Sequence, residues 1–530
     1  MLQRSTRRFE DSSLTPRSAR AMRHSMLAIS KARFAAGLQC LKRLHLDCHA
    51  PELRAAEDAG RAALAQAGVE VGALARRRFA GGVLVETGGD WDEAVALTAL
   101  LVADETVPVV YEGAFAGAGA RVRADVLVRV APGTFELVEV KAGLRVREHH
   151  ETDLALQLAV IAKAGTVVSR AWLMLLDREY VHPGGAPDIG RLFTLVDLTE
   201  KARVLLPEVE RRLAAMVPVA AGATTPAIAN GPQCLIPFRC PYFAHCHVGG
   251  PEHPVTDLPR LKPEQLVELT ALGVDDIRAI PDDFSGLTPL QRRAREAVRS
   301  GAVVREPAVV DLLAAIALPA HFVDFETFAP PVPVYAGTRP FEQVPFQWSD
   351  HVLAADGTLT HREFLHDEDT DPREALARSF LAATEGAASL VAYSSFEGDV
   401  LTALADELPH LAPALLDRRA RIVDLLPIVR DHCYHPTLKG SFSIKTVLPA
   451  FVPELGYGDL VIRDGLSASR SHATLIDRSL DPERRRELRA QLLAYCARDT
   501  EAMVALYRVL GAPFEDGKSG REVLESPLPF

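Results

Sequence analysis

The stretch His321-Phe-Val-Asp-Phe-Glu-Thr-Phe328 sets two acids, Asp324 and Glu326, two residues apart within an apolar run. On a β-strand, residues i and i+2 point to the same face, so the two carboxylates leave the sheet side by side. An amphipathic strand with two solvated acids would show the same spacing. Phe322, Val323, Phe325 and Phe328 argue against that, because they would bury the strand. A buried carboxylate has to be paired with a cation or bound to a metal.

Two later segments supply further donors. Ser389-Leu-Val-Ala-Tyr-Ser-Ser-Phe-Glu397 reads as a second buried strand ending on an acid, and Tyr495-Cys-Ala-Arg-Asp499 places a Tyr and an Asp one helical turn apart on one face. Asp-x-Glu-Thr, Phe-Glu-x-x-x-Leu and Tyr-x-x-x-Asp, in this order, resemble the three motifs of the DEDD superfamily of 3′-5′ exonucleases, in its Tyr variant. The resemblance implies a ribonuclease H-like mixed sheet with flanking helices over residues 311–515. It also implies that Asp324, Glu326, Glu397 and Asp499 hold two Mg²⁺ or Mn²⁺ ions for phosphodiester hydrolysis, with Tyr495 orienting the attacking water. Glu397 stands where the motif more often carries Asp, and Asp399 is an alternative donor.

At 530 residues the chain is too long for one core, and a prior of about 150 residues per domain suggests about three or four units. No apolar run approaches the ~18 to 20 residues that span a bilayer, and no signal peptide opens the chain. A cytoplasmic protein with no membrane partner is the expectation. The formal charge of −11, from 70 acidic against 59 basic residues, supplies no global field for drawing in nucleic acid. Phosphate binding would have to come from local patches and metals.

Working outward toward the N-terminus, residues 1–25 read as a disordered, Arg-rich basic tail. Helical patterns follow over about 27–46 and 53–79. Strands are expected at 83–86, 107–112, 121–128 and 134–141, then a helix at 153–163 and a strand at 169–176. Asp125 falls on one strand, Glu139 and Lys141 share a face of the next by period 2, and Gln157 lies on the helix after it. A lone Glu-x-Lys would mean no more than a surface pair on an edge strand. Asp, Glu-x-Lys and a helical Gln in this order resemble the restriction-endonuclease-like PD-(D/E)xK core, in its RecB-like branch, over residues 26–250. The chemistry needs those types: Asp125 and Glu139 to hold a divalent metal, and the Lys141 ammonium to stabilise charge developing on phosphate. The early-helix stretch Val71-Gly-Ala-Leu-Ala-Arg-Arg77 lacks the His or Glu of that branch, and Glu112 is the candidate substitute.

Seven cysteines are too few for a disulfide framework in a chain this long. Four of them form a pattern, with Cys40 on the opening helix and Cys234, Cys240 and Cys246 at the far end of the same region. This resembles the iron-sulfur staple of RecB-like nucleases and implies a 4Fe-4S cluster, with Zn²⁺ as the alternative and Cys48, His245 and His247 as substitute ligands. Cys433 and Cys496 read as small apolar residues of the C-terminal core.

Residues 251–310 read as a helical connector, with helices over 258–273 and 287–298. Leu272-Gly-Val-Asp-Asp-Ile277 resembles the hairpin of a helix-hairpin-helix motif. Within the C-terminal region, Gly440-Ser-Phe-Ser-Ile-Lys445 reads as a substrate-facing loop, and residues 516–530 as a tail. The arrangement resembles a bacterial family of unknown function that pairs a RecB-like nuclease with such an exonuclease. It implies a two-nuclease protein acting on DNA, with RNA left open, in DNA repair or processing. With no Walker loop or helicase motif, strand separation would need a helicase or repair partner. The alternative is a nucleic-acid-binding adaptor with one or both sites inactive, motivated by Glu397 and by the missing early ligand.

Overall fold

The computed structural model describes residues 28–56 and 59–512, so the tails expected at 1–25 and 516–530 lie outside the described residues. Contacts divide the chain into two units. The first comprises residues up to Tyr180 with Pro187–Val248, the second Val181–Ala186 with residues from Gly249 onward. The protein is an α/β multidomain chain with mixed sheets. Among the described residues no helix is long and apolar enough to cross a membrane.

The first unit is built on six strands that neighbour one another in chain order: β1 (Gly82–Leu84), β2 (Val109–Gly117), β3 (Ala120–Ala131), β4 (Thr134–Lys141), β5 (Val167–Leu176) and β6 (Phe193–Asp197). β1 runs parallel to β2 and β4 parallel to β5, while the other pairs are antiparallel. The parallel β4–β5 step needs a crossover, supplied by the Glu148–Lys163 helix. That helix, expected at 153–163, begins five residues earlier and is buried continuously from Leu154 to Ile161.

The expected 27–46 helix is broken into Lys31–Gln39 and Leu41–His49 by Cys40, whose φ of −164° and ψ of 126° are extended. Helical periodicity on both sides of a one-residue break looks continuous, so the sequence hides it. The first of these helices lies close to the Thr199–Ala221 helix at Gly37, where an added Cβ would sit 2.6 Å from the Met216 sulfur.

In the second unit, a small antiparallel pair joins β7 (Val304–Arg305) to β13 (Cys433–Tyr434). The main sheet has the order β10-β9-β8-β11-β12, with β8 (Ala320–Phe328) central. β9 (Val344–Leu353) and β10 (Leu359–Leu365) form an antiparallel meander on one side, and β11 (Ser389–Ala392) and β12 (Ile422–Asp424) run parallel on the other. One face carries Val323, Phe325, Trp348, Phe380 and Leu401 as a packed core. The Pro482–Gly511 helix packs against β8 and β9, and Gln347 donates to its Leu492 carbonyl at 2.8 Å.

Two expectations change here. The strand read to Glu397 stops at Ala392, and Glu397 enters the first turn of the Phe396–Glu407 helix. Ser394 accepts from the Phe396 backbone N–H at 3.1 Å, and that local turn competes with the strand. The helix-hairpin-helix reading also fails to materialise. After the Pro263–Ala271 helix the Gly273 turn leads to a three-residue 3-10 turn at Ile277–Ala279, and the next α-helix begins only at Pro289. Residues 251–310 belong to the second unit.

Candidate active sites

Period 2 along β8 puts Val323 and Phe325 into the core, and Asp324 and Glu326 line a cavity of about 500 Å³. Glu397 reaches it from the Phe396–Glu407 helix, and Tyr495 and Asp499 from the Pro482–Gly511 helix, one turn apart. Three motifs, the first and last of them Asp324 and Asp499, thus converge on one space. Asp399, the alternative donor, lines a neighbouring cavity with Glu342, Arg373 and Glu407 instead.

Glu326, Glu397 and Asp499 are 7%, 4% and 6% exposed. Burial, reinforced by the neighbouring carboxylates, pushes Asp324 and Glu326 well above the ordinary carboxylate range, and burial raises Glu397 and Asp499 as well. The Oε2 atom of Glu397 is buried without a hydrogen-bond partner. Unpaired buried oxygens are costly, and a cation in the cavity would satisfy this one. One oxygen each of Asp324 and Glu326 and the Cys496 sulfur lie within 4.8 Å of one another. Cys496 therefore does more than fill the core: its thiol donates to Asp324 Oδ2 at 3.4 Å.

Among the described residues, Lys445 is the only basic side chain lining this cavity. It donates to the Tyr495 hydroxyl at 2.8 Å, and Tyr495 in turn bonds Asp499. Tyr457 donates to Asp499 Oδ1 at 2.5 Å. Burial and the surrounding carboxylates keep both phenols protonated. The Gly440–Lys445 loop is anchored where Gly440, at φ +80°, packs so close to Asp257 that an added Cβ would lie 2.6 Å from its carbonyl oxygen. Lys445 itself opens the Ile444–Phe451 helix. Sequence reasoning flagged that loop but assigned Lys445 no role, and it passed over Tyr457, which no motif marks.

In the first unit, β3 and β4 bring Asp125 beside Glu139, and Asp125 Oδ2 accepts from the Val140 N–H at 2.7 Å. Glu139 is 1% exposed and is surrounded by donors. Lys141 Nζ lies 2.8 Å from its Oε1, and Gln157 Nε2 donates to Oε2 at 2.8 Å. Lys31, on the opening helix, meets Oε1 at 2.8 Å and Oε2 at 3.1 Å. Burial works against ionisation of Glu139, but the two ammoniums overcome it and hold the carboxyl below its ordinary range. Asp125 is pushed up by burial and by Glu139. Glu112 pairs with Arg76 at 3.4 Å. Lys31 was missed because only the fold brings the opening helix to β4.

Cys40, Cys234, Cys240 and Cys246 line one small cavity together. The extended backbone at Cys40 turns its side chain to the cage, and Gln39 Nε2 donates to the carbonyls of Gln233, Ile236 and Phe238 at 2.9, 3.1 and 2.7 Å. Burial raises the thiols of Cys234 and Cys240, an effect that a bound cation would reverse. Of the substitutes, Cys48 packs on the apolar core, and His247 stacks on Phe243 at 3.8 Å. Among the described residues, no three of the four cage sulfurs lie within 4.8 Å of one another.

Residues 321–443 match a family model described as "Domain of unknown function (DUF2779)". The match takes in Asp324, Glu326 and Glu397 and ends before Lys445, Tyr495 and Asp499. No curated protein and no solved structure matches the chain.

Proposed function

We propose that the second unit is a metal-dependent 3′-5′ exonuclease of the DEDD type, on a ribonuclease H-like fold. The observation that carries this reading is the convergence of Asp324, Glu326, Glu397 and Asp499 on one cavity that Lys445 alone cannot neutralise. Four carboxylates and one ammonium leave a strong negative excess, and two divalent ions would turn it into a slightly positive site suited to a phosphodiester. Mg²⁺ or Mn²⁺ fits this all-oxygen donor set, and when bound would supply water activation and polarisation of the phosphoryl group. The protein's own part is orientation. Tyr495, held between Lys445 and Asp499, presents its hydroxyl to the attacking water. A phenol held protonated is a donor and a positioner, not a base. Lys445 offers its remaining N–H groups to a phosphate oxygen, which gives the predicted substrate-facing loop a chemical role.

The first unit is proposed as a RecB-like nuclease, with Asp125 and Glu139 as metal ligands, Lys141 as the phosphate-facing cation and Gln157 fixing Glu139. The cysteine cage is proposed to hold a 4Fe-4S cluster. Four thiolates also suit Zn²⁺, which stays the alternative. The adaptor reading, motivated by Glu397 and by the missing early ligand, gains support in this unit, where Glu139 already has two ammonium partners. A substrate panel separates the readings: purified protein with Mg²⁺ or Mn²⁺ should shorten single-stranded DNA or RNA from the 3′ end. No hydrolysis of either under any divalent metal would leave the adaptor.

A further inference from the structure

Glu139 offers about four lone-pair directions on its two oxygens, and four are taken. Lys31 and Lys141 share Oε1, and Lys31 and Gln157 share Oε2. A metal cannot join without evicting one of these donors. Gln157 is fully buried, with its Nε2 on Glu139 and no way out to solvent. Lys141 is tied a second time, to Asp153 at 3.1 Å. Lys31 and Lys141 are about equally exposed, at 26% and 29%, but Lys31 is the one donor whose departure opens a direction on both Glu139 oxygens, and its further contact is only the neutral Arg123 carbonyl at 3.3 Å.

We infer that Lys31 is the resident counter-ion of this site, and that a divalent metal reaches Glu139 by displacing the Lys31 ammonium. The inference rests on the RecB-like reading of the first unit and adds a gate to it. In the metal-free protein the ammonium neutralises Glu139 and so keeps the buried Asp125–Glu139 pair stable. When the metal enters, the Lys31 stem swings outward on the Lys31–Gln39 helix and leaves a cation at the mouth of the site, where a nucleic-acid phosphate would meet it. The same helix ends at Cys40, so the lysine and the cysteine cage are fixed to one rigid segment.

The test is Mn²⁺ binding, followed by loss of the free-ion paramagnetic resonance signal, in full-length protein carrying Asp324→Ala and Glu326→Ala to silence the second unit. Lys31→Met should bind Mn²⁺ about tenfold more tightly than its parent, and Lys31→Arg should bind like the parent. Glu139 keeps Lys141 and Gln157 in every variant, so the fold should hold, and Lys31→Gln replaces the Met variant if thermal unfolding shows otherwise. Equal or weaker Mn²⁺ binding by the neutral variants, with that binding still abolished by Asp125→Asn, overturns the gate and leaves the RecB-like reading standing. Mn²⁺ binding untouched by Asp125→Asn, whichever residue stands at 31, overturns both.

Discussion

At the scale of single residues, the second unit's cavity separates groups that hold charge from groups that hold geometry. Asp324→Ala removes a ligand beside Glu326 that no neighbouring acid can replace, so trimming should fall ~10⁴-fold or more. Tyr495→Phe deletes a hydroxyl and leaves every carboxylate in place, so a loss of about 10²-fold in turnover is expected. Lys445→Met should raise the Michaelis constant as well as slow turnover, since the ammonium meets substrate and also holds Tyr495, whereas Lys445→Arg should recover most of the binding. Steady-state kinetics on a short oligonucleotide reads all three. Glu397→Asp tests whether glutamate is native to its helical position: shortening it should impair the enzyme. Asp324, Glu326, Tyr495 and Asp499 were legible because period 2 and period 3.6 put each pair on one face. Glu397 was legible as a donor but misplaced on a strand. Lys31 and Tyr457 were illegible, because their roles arise from contacts across more than 40 residues that leave no local pattern.

At the scale of elements, the opening helices and the cysteine-rich segment form one device. Three backbone carbonyls of that segment are held by Gln39, one residue before the helix break that delivers Cys40. Cys240→Ser should therefore lower the unfolding temperature of the first unit, since the metal group proposed there would contribute to folding. Anaerobically purified protein should be brown, with absorption near about 400 nm from thiolate-to-iron charge transfer; a colourless protein with stoichiometric zinc would replace the cluster by Zn²⁺ and keep the cage. The sequence showed the four cysteines and the strands around Asp125 and Glu139. It could not show the break at Cys40, because one extended residue between two helical runs does not disturb their periodicity. On β4 and the Glu148–Lys163 helix, Lys141→Ala in an Asp324→Ala background should abolish remaining cleavage, measured on double- and single-stranded DNA.

At the scale of the whole molecule, the buried acids make stability depend on pH and metal together. Asp324, Glu326, Glu397 and Asp499 titrate above their unfolded values of about 4, with Glu397 pushed up to about 8. The folded protein keeps protons that the unfolded chain has already released. Without metal, the second unit should therefore lose stability as pH rises from about 4 to about 8. On the proposed function divalent metal would replace those protons, so Mg²⁺ should restore the unfolding temperature most at the alkaline end and release protons on binding. Calorimetry at pH 5 and pH 8, with and without Mg²⁺, checks the sign.

The central claim is that the cavity around Asp324 trims nucleic acid from the 3′ end. The most direct measurement uses protein with Lys141→Ala, which disables the first unit, with and without Asp324→Ala, on a 5′-labelled single strand in Mg²⁺ or Mn²⁺. A ladder shortening from the 3′ end should form and should disappear completely with Asp324→Ala. Shortening at the same rate in both proteins, or none in either on DNA and RNA alike, would contradict the claim.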